Sequence, residues 1–310
     1  MEIIRGLHNL RSRHRGVAVT IGNFDGVHLG HRAVLDQLME VGSRLRVATT
    51  LITFEPHPGE FFSGPDAPSR LTRFREKMRA LAETPLDRVL VLRFEASLSR
   101  VPAALFIERY LLEGLGVKHL LVGDDFRFGY RAEGNFQMLR GAADRQGFEL
   151  SRLDTLRMDG RRVSSGWVRE ALENGDLGLV SRLIGRPYTI LGRVAHGRRL
   201  GHTIGFPTAN LHVRRKSWPV RGVFAVRVAG VGGAPMEGMA NVGTRPTVDG
   251  TRWVLEVHLF DFQGELYGRE LRVDFVDKLR DERRFESVDA LKAQLAQDAE
   301  GARAALRAAA

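Results

Sequence analysis

There is no cysteine among the 310 residues. Disulfides, thiolate nucleophiles and cysteine-ligated zinc are therefore excluded, and any catalysis must use other groups. No stretch approaches the roughly 18 consecutive apolar residues that span a bilayer, and the opening MEIIRGLHNLRSRHRG lacks the apolar core of a secretory signal. A cytoplasmic location with no membrane partner is expected. Lysine is scarce, at five residues. None of the five sits in a Gly-x-x-x-x-Gly-Lys-Ser/Thr loop and no His-Arg-Asp element occurs, so neither a P-loop nor a protein-kinase site is present. The net charge of +10 suits a polyanionic partner. Aromatic residues, however, are only 8% of the chain, and no basic-aromatic face of the kind that stacks bases is apparent. No nucleic-acid partner is expected. The excess charge is arginine, dispersed except for doublets such as Arg161-Arg162, Arg198-Arg199 and Arg214-Arg215, and is expected to lie solvated on the surface.

The 43% hydrophobic content is enough for sizeable cores, and at roughly 100 to 200 residues per domain the length suggests two. In the first half, short apolar runs alternate with segments of helical period, as in a parallel sheet with crossover helices. Strands are expected at Gly16 to Ile21, Arg46 to Phe54, Val89 to Phe94 and His119 to Val122. A helix from Leu29 to Val41 sets Val34, Leu35, Leu38 and Val41 on one face, and a second stripe runs through Leu71, Phe74, Met78 and Leu81. Pro102 suits the first turn of a further helix. From about Arg186 the pattern becomes short alternating segments punctuated by glycine and proline, at Thr189 to Val194, Val223 to Val228, Trp253 to Phe260 and Leu271 to Val276. These predict an antiparallel barrel or sandwich. Ser287 is a good N-cap for a closing helix in which Val288, Leu291 and Leu295 share a face. The alanine-rich C-terminus is expected to fray.

Between the first strand and the first helix lies Thr20-Ile21-Gly22-Asn23-Phe24-Asp25-Gly26-Val27-His28-Leu29-Gly30-His31. Glycines 22, 26 and 30 permit a sharp turn and close approach to a ligand, and a helix start offers free N–H groups and a positive dipole end to phosphate. His28 and His31, three apart, can reach one charged group and donate to a phosphate as its charge builds. The spacing alone also fits surface histidines or half of a metal site. Zinc is disfavoured because no glutamate follows His28 and no cysteine exists.

This stretch resembles the nucleotidyltransferase signature of the prokaryotic bifunctional riboflavin kinase/FAD synthetases. It is similar also to the His-x-Gly-His element of the wider adenylyltransferase superfamily. Three more segments resemble the FAD synthetase half: Thr53-Phe54-Glu55-Pro56-His57-Pro58; the flavin-side loop Val122-Gly123-Asp124-Asp125-Phe126-Arg127-Phe128-Gly129; and Val163-Ser164-Ser165-Gly166-Trp167-Val168-Arg169. The resemblance implies catalysis by His28 and His31. It implies ATP at Gly22, Asn23, Phe24, Asp25, Gly26, Gly30, Ser164, Ser165 and Arg169, and flavin at Pro56, His57, Pro58, Asp125, Phe126 and Phe128. Ser164 or Ser165 can also simply cap the helix that follows. Glu55 and Gly166 depart from the family's usual Asp and Thr.

In the second half, Gly201-His202-Thr203-Ile204-Gly205-Phe206-Pro207-Thr208-Ala209-Asn210-Leu211 reads on composition as a loop entering a strand. Thr208 and Asn210 fall on one side of an extended segment and offer oxygens to a hard cation, or else bond their own main chain in turn chemistry. Gly205 to Asn210 is similar to the Gly-Phe-Pro-Thr-Ala-Asn signature of riboflavin kinases. Gly192-Arg193-Val194, Gly222-Val223-Phe224, Asn241 to Thr247, Leu266-Tyr267-Gly268 and Leu279 to Phe285 follow in family order. The resemblance implies ATP at Gly205, Phe206, Pro207, Thr208 and Asn210, Mg²⁺ at Thr208 and Asn210, and flavin at Arg245 and Arg280. In Leu255-Glu256-Val257-His258-Leu259-Phe260, alternation puts Glu256 and His258 opposite the apolar residues. A solvated carboxylate explains Glu256 equally well; by resemblance it is the catalytic base.

The expected architecture is α/β: a Rossmann-like nucleotidyltransferase domain with a parallel sheet over 1–183, then an antiparallel Greek-key β-barrel domain with a C-terminal helix over 186–310. The resemblance implies riboflavin kinase and FMN adenylyltransferase activities, with riboflavin, FMN and ATP as partners, ATP and Mg²⁺ as co-substrate and cofactor, and FMN and FAD as products. Self-association is left open. The rival reading is an adenylyltransferase of another acceptor whose barrel only binds substrate.

Overall fold

The structure, a computed structural model, describes residues 1–123, 125–195, 205–213, 215, 217–247 and 250–309. Asp124, Arg198-Arg199, Arg214 and the Gly201 to Ile204 part of the barrel motif lie outside them. By contact density the chain divides into two units, Met1–Pro68 with Lys77–Ser164 and Ser69–Glu76 with Ser165–Ala310. Among the described residues no helix is long and apolar enough to cross a membrane.

The first unit is built on six parallel strands: β1 (Glu2–Arg5), β2 (Ala18–Ile21), β3 (Thr49–Glu55), β4 (Arg88–Arg93), β5 (His119–Val122) and β6 (Glu149–Arg152). Their order is β1-β4-β3-β2-β5-β6. Among the helices, α1 (Leu29–Leu45) follows β2, α2 (Pro58–Ser63) follows β3, and α3 (Phe74–Ala82) precedes β4. Two short turns, α4 (Ala96–Ser99) and α5 (Ala103–Phe106), the latter running on as a π-helix to Gly114, precede β5, and α6 (Phe136–Gln146) precedes β6. A hairpin, β7 (Arg157–Met158) with β8 (Arg161–Arg162), closes the unit.

β2, β3, β4 and β5 are buried nearly throughout because helices cover both faces of a parallel sheet. The chain moves outward from β2 to β4 and then returns to β5 beside β2. That makes the β2/β5 boundary the switch point, where ligands of open α/β sheets bind beyond the carboxyl ends. The loops leaving β2 and β5 are the ones carrying Gly22 to His28 and Gly123 to Gly129.

Boundaries shift for local reasons. The helix expected to end at Val41 runs to Leu45, since Arg46 takes the left-handed cap (φ 54°) and so delays β3 to Thr49. Leu71 precedes α3 instead of joining its stripe, though it is fully buried.

The second unit contains α7 (Ser165–Glu173), α8 (Leu177–Ile184), a closed antiparallel barrel and α9 (Val288–Ala308). The barrel strands are β9 (Tyr188–Ala195), β10 (Ala209–His212), β11 (Gly222–Ala229), β12 (Met236–Thr247), β13 (Gly250–Leu259) and β14 (Glu270–Arg280). They close in the order β10-β13-β12-β11-β14-β9. β10 lies beside β13 while β11, β12 and β13 follow one another as hairpins, which is the Greek-key connection.

Ser287 caps α9, its Oγ accepting from the Ala290 N–H at 3.1 Å. The expected fraying is not found. The helix reaches Ala308 with Ala302 and Leu306 fully buried against Ala225, Met239 and Phe260.

The segment Ser69–Glu76 packs within this unit. Tyr188 Oη donates to the Leu71 carbonyl at 3.0 Å, and the Leu191 N–H donates to Glu76 Oε1 at 3.1 Å. Arg215 pairs with Glu76 at 2.7 Å, their side chains 2% and 4% exposed. One arginine expected on a solvated surface is therefore core, because a buried carboxylate requires a cation beside it.

Candidate active sites

In the first unit the β2–α1 turn is wound through left-handed backbone at Phe24 (φ 50°), Gly26 (φ 87°) and Val27 (φ 44°). Gly26 adopts this freely; for Phe24 and the β-branched Val27 it stores roughly 1–3 kcal/mol each. The result brings the chain back on itself so that His28 becomes the N-cap of α1. His28 Nδ1 accepts the His31 N–H at 3.2 Å, which leaves its other ring nitrogen to carry the proton in the neutral ring.

The two imidazoles stack with centroids 3.6 Å apart and planes inclined by 16°, and Phe24 lies against His31 at 4.5 Å. A side chain at Gly30 would strike the Val163 carbonyl at 2.9 Å, so this position requires glycine. Withdrawal from water holds His31 well below the usual imidazole range, helped by His28, Lys77 and Arg162. Its Nδ1 is buried with no hydrogen-bond partner. A close-stacked pair beside the helix N–H groups, with a ring nitrogen of His31 unpartnered, suits an anion that supplies the missing acceptor.

Other expected residues take distinct places. The Glu55-Pro56 bond is cis. His57 caps α2, its Nδ1 accepting from the Gly59 N–H at 3.0 Å, with Pro58 in the first turn. On the β5 loop, Asp125 pairs with Arg162 at 2.9 Å, and that bond lowers its pKa. Phe126 and Phe128 stack at 5.5 Å, but Phe128 is buried in the core while Phe126 remains partly exposed. Ser164 belongs to the first unit. Ser165 and Arg169 belong to the second, where Arg169 Nε donates to the Ser69 carbonyl at 2.6 Å.

The barrel brings its expected residues together. A cavity of about 320 Å³ is lined by Phe206, Thr208, Asn210, Arg245, Glu256 and Arg280, and beside them by Asn241, His258, Glu282 and residues of α9. The register sets Asn210 of β10 and Asn241 of β12 directly across from Glu256 of β13, so all three point to one face. Leu255, Val257 and Leu259 are buried on the other.

Arg245 donates to Glu256 at 2.5 Å. Arg280 is engaged by Asp298 of α9 at 2.7 Å, and its guanidinium lies over Phe285. His258 Nδ1 donates to the Pro207 carbonyl at 2.8 Å. Thr208 also lines a second cavity of about 440 Å³, walled by Val194, Pro207, Val257, Leu259, Leu266 and Tyr267. Gly205 has φ 83°.

Among the described residues neither the Thr208 nor the Asn210 side chain makes a hydrogen bond, so turn chemistry does not occupy them. No cluster of three or more His, Asp or Glu able to hold a metal occurs among the described residues. Sequence reasoning missed Lys77, Thr53, Asn241, Glu282 and Asp298. Asn241 and Glu282 sit inside motifs singled out above, whereas Lys77 and Asp298 look like ordinary helix-surface charges.

Two family models match the chain, one in each half. A family model described as FAD synthetase matches residues 10–167, and one described as Riboflavin kinase matches residues 184–306. A bifunctional riboflavin kinase/FMN adenylyltransferase of Escherichia coli (strain K12) is 50% identical over 299 residues, covering 96% of each chain. That of Haemophilus influenzae is 46% identical, covering 98% of this chain and 99% of its own. A solved Streptococcus pneumoniae structure titled a macrolide-efflux protein superposes with TM-score 0.86 at 27% identity, covering 98% and 99% of the two chains. On the two family models, the near full-length identity and the two sites, the chain belongs to the bifunctional riboflavin kinase/FMN adenylyltransferase family.

Proposed function

We propose that this protein makes FAD from riboflavin in two ATP-dependent steps: residues 186–310 phosphorylate riboflavin to FMN, and residues 1–183 adenylylate FMN with release of pyrophosphate. The observation that carries this reading is the presence, in one chain, of the stacked His28/His31 pair at a switch point and of a separate barrel cavity lined by Thr208, Asn210 and Glu256.

In the barrel, the riboflavin 5′-hydroxyl attacks the γ-phosphorus of ATP, Glu256 accepts its proton and ADP departs. Arg245 keeps the Glu256 carboxylate oriented and, with Arg280, faces the flavin. Thr208 lies where the two cavities meet, which suits ATP in one and riboflavin in the other. Thr208 and Asn210 present uncommitted oxygens, as Mg²⁺ prefers, and would hold it. When bound it would neutralise phosphate charge.

In the first unit, a phosphate oxygen of FMN attacks the α-phosphorus of ATP, and pyrophosphate leaves. The ring N–H groups of His28 and His31 stabilise charge developing on the α-phosphate, and the Gly22 to Gly30 turn with the α1 N-terminus cradles the phosphates. The β5 loop supplies Asp125 and the partly exposed Phe126 to the flavin, and Pro56, His57 and Pro58 form the opposite rim.

Incubation of the protein with riboflavin, ATP and Mg²⁺, followed by separation of the flavins, tests both halves. FMN and then FAD are expected. FAD formed only from supplied FMN would leave the barrel as a binding module, and no FAD from FMN would overturn the first-unit assignment.

A further inference from the structure

Lys77 of α3 is 1% exposed, among the most deeply buried large side chains in the chain. Its Nζ donates to the Asn23 carbonyl at 3.1 Å and to Thr53 Oγ1 at 3.1 Å. Thr53 Oγ1 donates to the same carbonyl at 3.3 Å. Three elements thus meet at one main-chain oxygen. Asn23 immediately precedes Phe24, whose strained backbone turns the chain and whose ring supports His31.

Withdrawing an ammonium from water is costly, and a methionine would fill the same space without that cost. A lysine there has work that packing does not require. Resting on the adenylyl-transfer reading above, we propose that Lys77 is a positioning residue of that site: it clamps the Asn23–Phe24 turn under the stacked imidazoles and gives the site a fixed buried positive charge before ATP arrives.

Two separate consequences follow. Without the clamp, the left-handed turn relaxes and the Phe24–His31–His28 stack loses its floor, so the donors no longer stand where α-phosphate charge develops. Without the charge, His31 takes a proton more easily. Burial is the largest influence holding His31 low, and the charged groups that add to it are His28, Lys77 and Arg162 in that order. The ammonium thus adds to the influences that disfavour a charged His31 against the neighbouring His28 ring.

The test uses the full-length protein with Lys77→Met, which keeps the volume, and Lys77→Gln, which keeps a donor for Asn23 without the charge. Lys77→Met is expected to slow FAD formation from FMN about tenfold or more, with riboflavin-to-FMN conversion within about twofold of wild type. Lys77→Gln should recover part of that rate. In both, the His31 ring resonance, followed by NMR, should titrate at higher pH than in wild type. FAD formation at the wild-type rate, or an unmoved His31 midpoint, overturns the proposal. If Lys77→Met loses FMN formation as well, the chain has misfolded and Lys77→Gln decides on the same readouts. His28→Ala run alongside separates the two levels: if it too forms FAD normally, the adenylyl-transfer reading itself fails.

Discussion

The guanidinium of Arg245 on β12 holds the Glu256 carboxylate of β13 at 2.5 Å, inside the cavity that also contains Thr208 and Asn210. The contact fixes the direction of the carboxylate, as the proposed role of Glu256 as base requires. Glu256→Gln keeps the shape and removes the basic oxygen. FMN formation from riboflavin should fall about 10²–10⁴-fold, while FAD formation from supplied FMN continues; separation of the flavins reads both.

His28 caps α1 and, on the proposed reading, also serves the adenylyl transfer; two substitutions separate the two. His28→Ala removes the imidazole and the cap acceptor, so product should stall at FMN with a loss of about 10²–10³-fold in FAD formation. It should also destabilise by about 1 kcal/mol. His28→Asn restores an N-cap oxygen without a ring. It should recover the stability in urea unfolding and leave the FAD defect.

The Arg215–Glu76 pair is almost wholly withdrawn from solvent, and Glu76 also takes Arg73 at 3.0 Å. Arg215→Ala leaves a buried carboxylate short of a cation, which costs about 3–5 kcal/mol. Thermal unfolding of the variant should begin well below that of wild type.

How far the chain could be read without coordinates depended on whether a feature was written locally. The β2–α1 turn, the Thr208 loop and the Ser287 cap each reside in a few consecutive residues, and each lies where the sequence placed it. The edge strands β1 and β6, four residues each, are too short to show a period, so they went unread. The Asp159-Gly160 hairpin carries a recognised turn signal, with φ values of 51° and 76°, yet its strands are only two residues each. Lys77, Glu76 and Arg215 look solvated in sequence, because only tertiary packing brings Thr53 and Asn23 to one and joins the other two. The strain at Phe24 and Val27 was likewise invisible, since neither residue type favours left-handed backbone.

Glu149 of β6 bridges Arg44 and His119, and these bonds, Arg44 first, draw its pKa down to about 2. A carboxylate whose folded value is depressed contributes stability above its ordinary value and loses it as pH falls toward the folded one. The contribution should be present near neutrality and fade between about pH 4.5 and about pH 2. Because the carboxylate is 47% exposed, salt should weaken it too. Urea midpoints of wild type and Glu149→Gln should differ at about pH 7 and converge only as pH falls to about 2.

Strand β10, only four residues long, is the stave that completes the barrel, pairing with β13 on one side and β9 on the other. Asn210 belongs to that stave. A partly folded barrel lacking it would expose two raw edges to intermolecular pairing and would also lack the Asn210 side chain that lines the cavity. Completion of the cavity wall and closure of the two open strand edges thus fall to the same four residues.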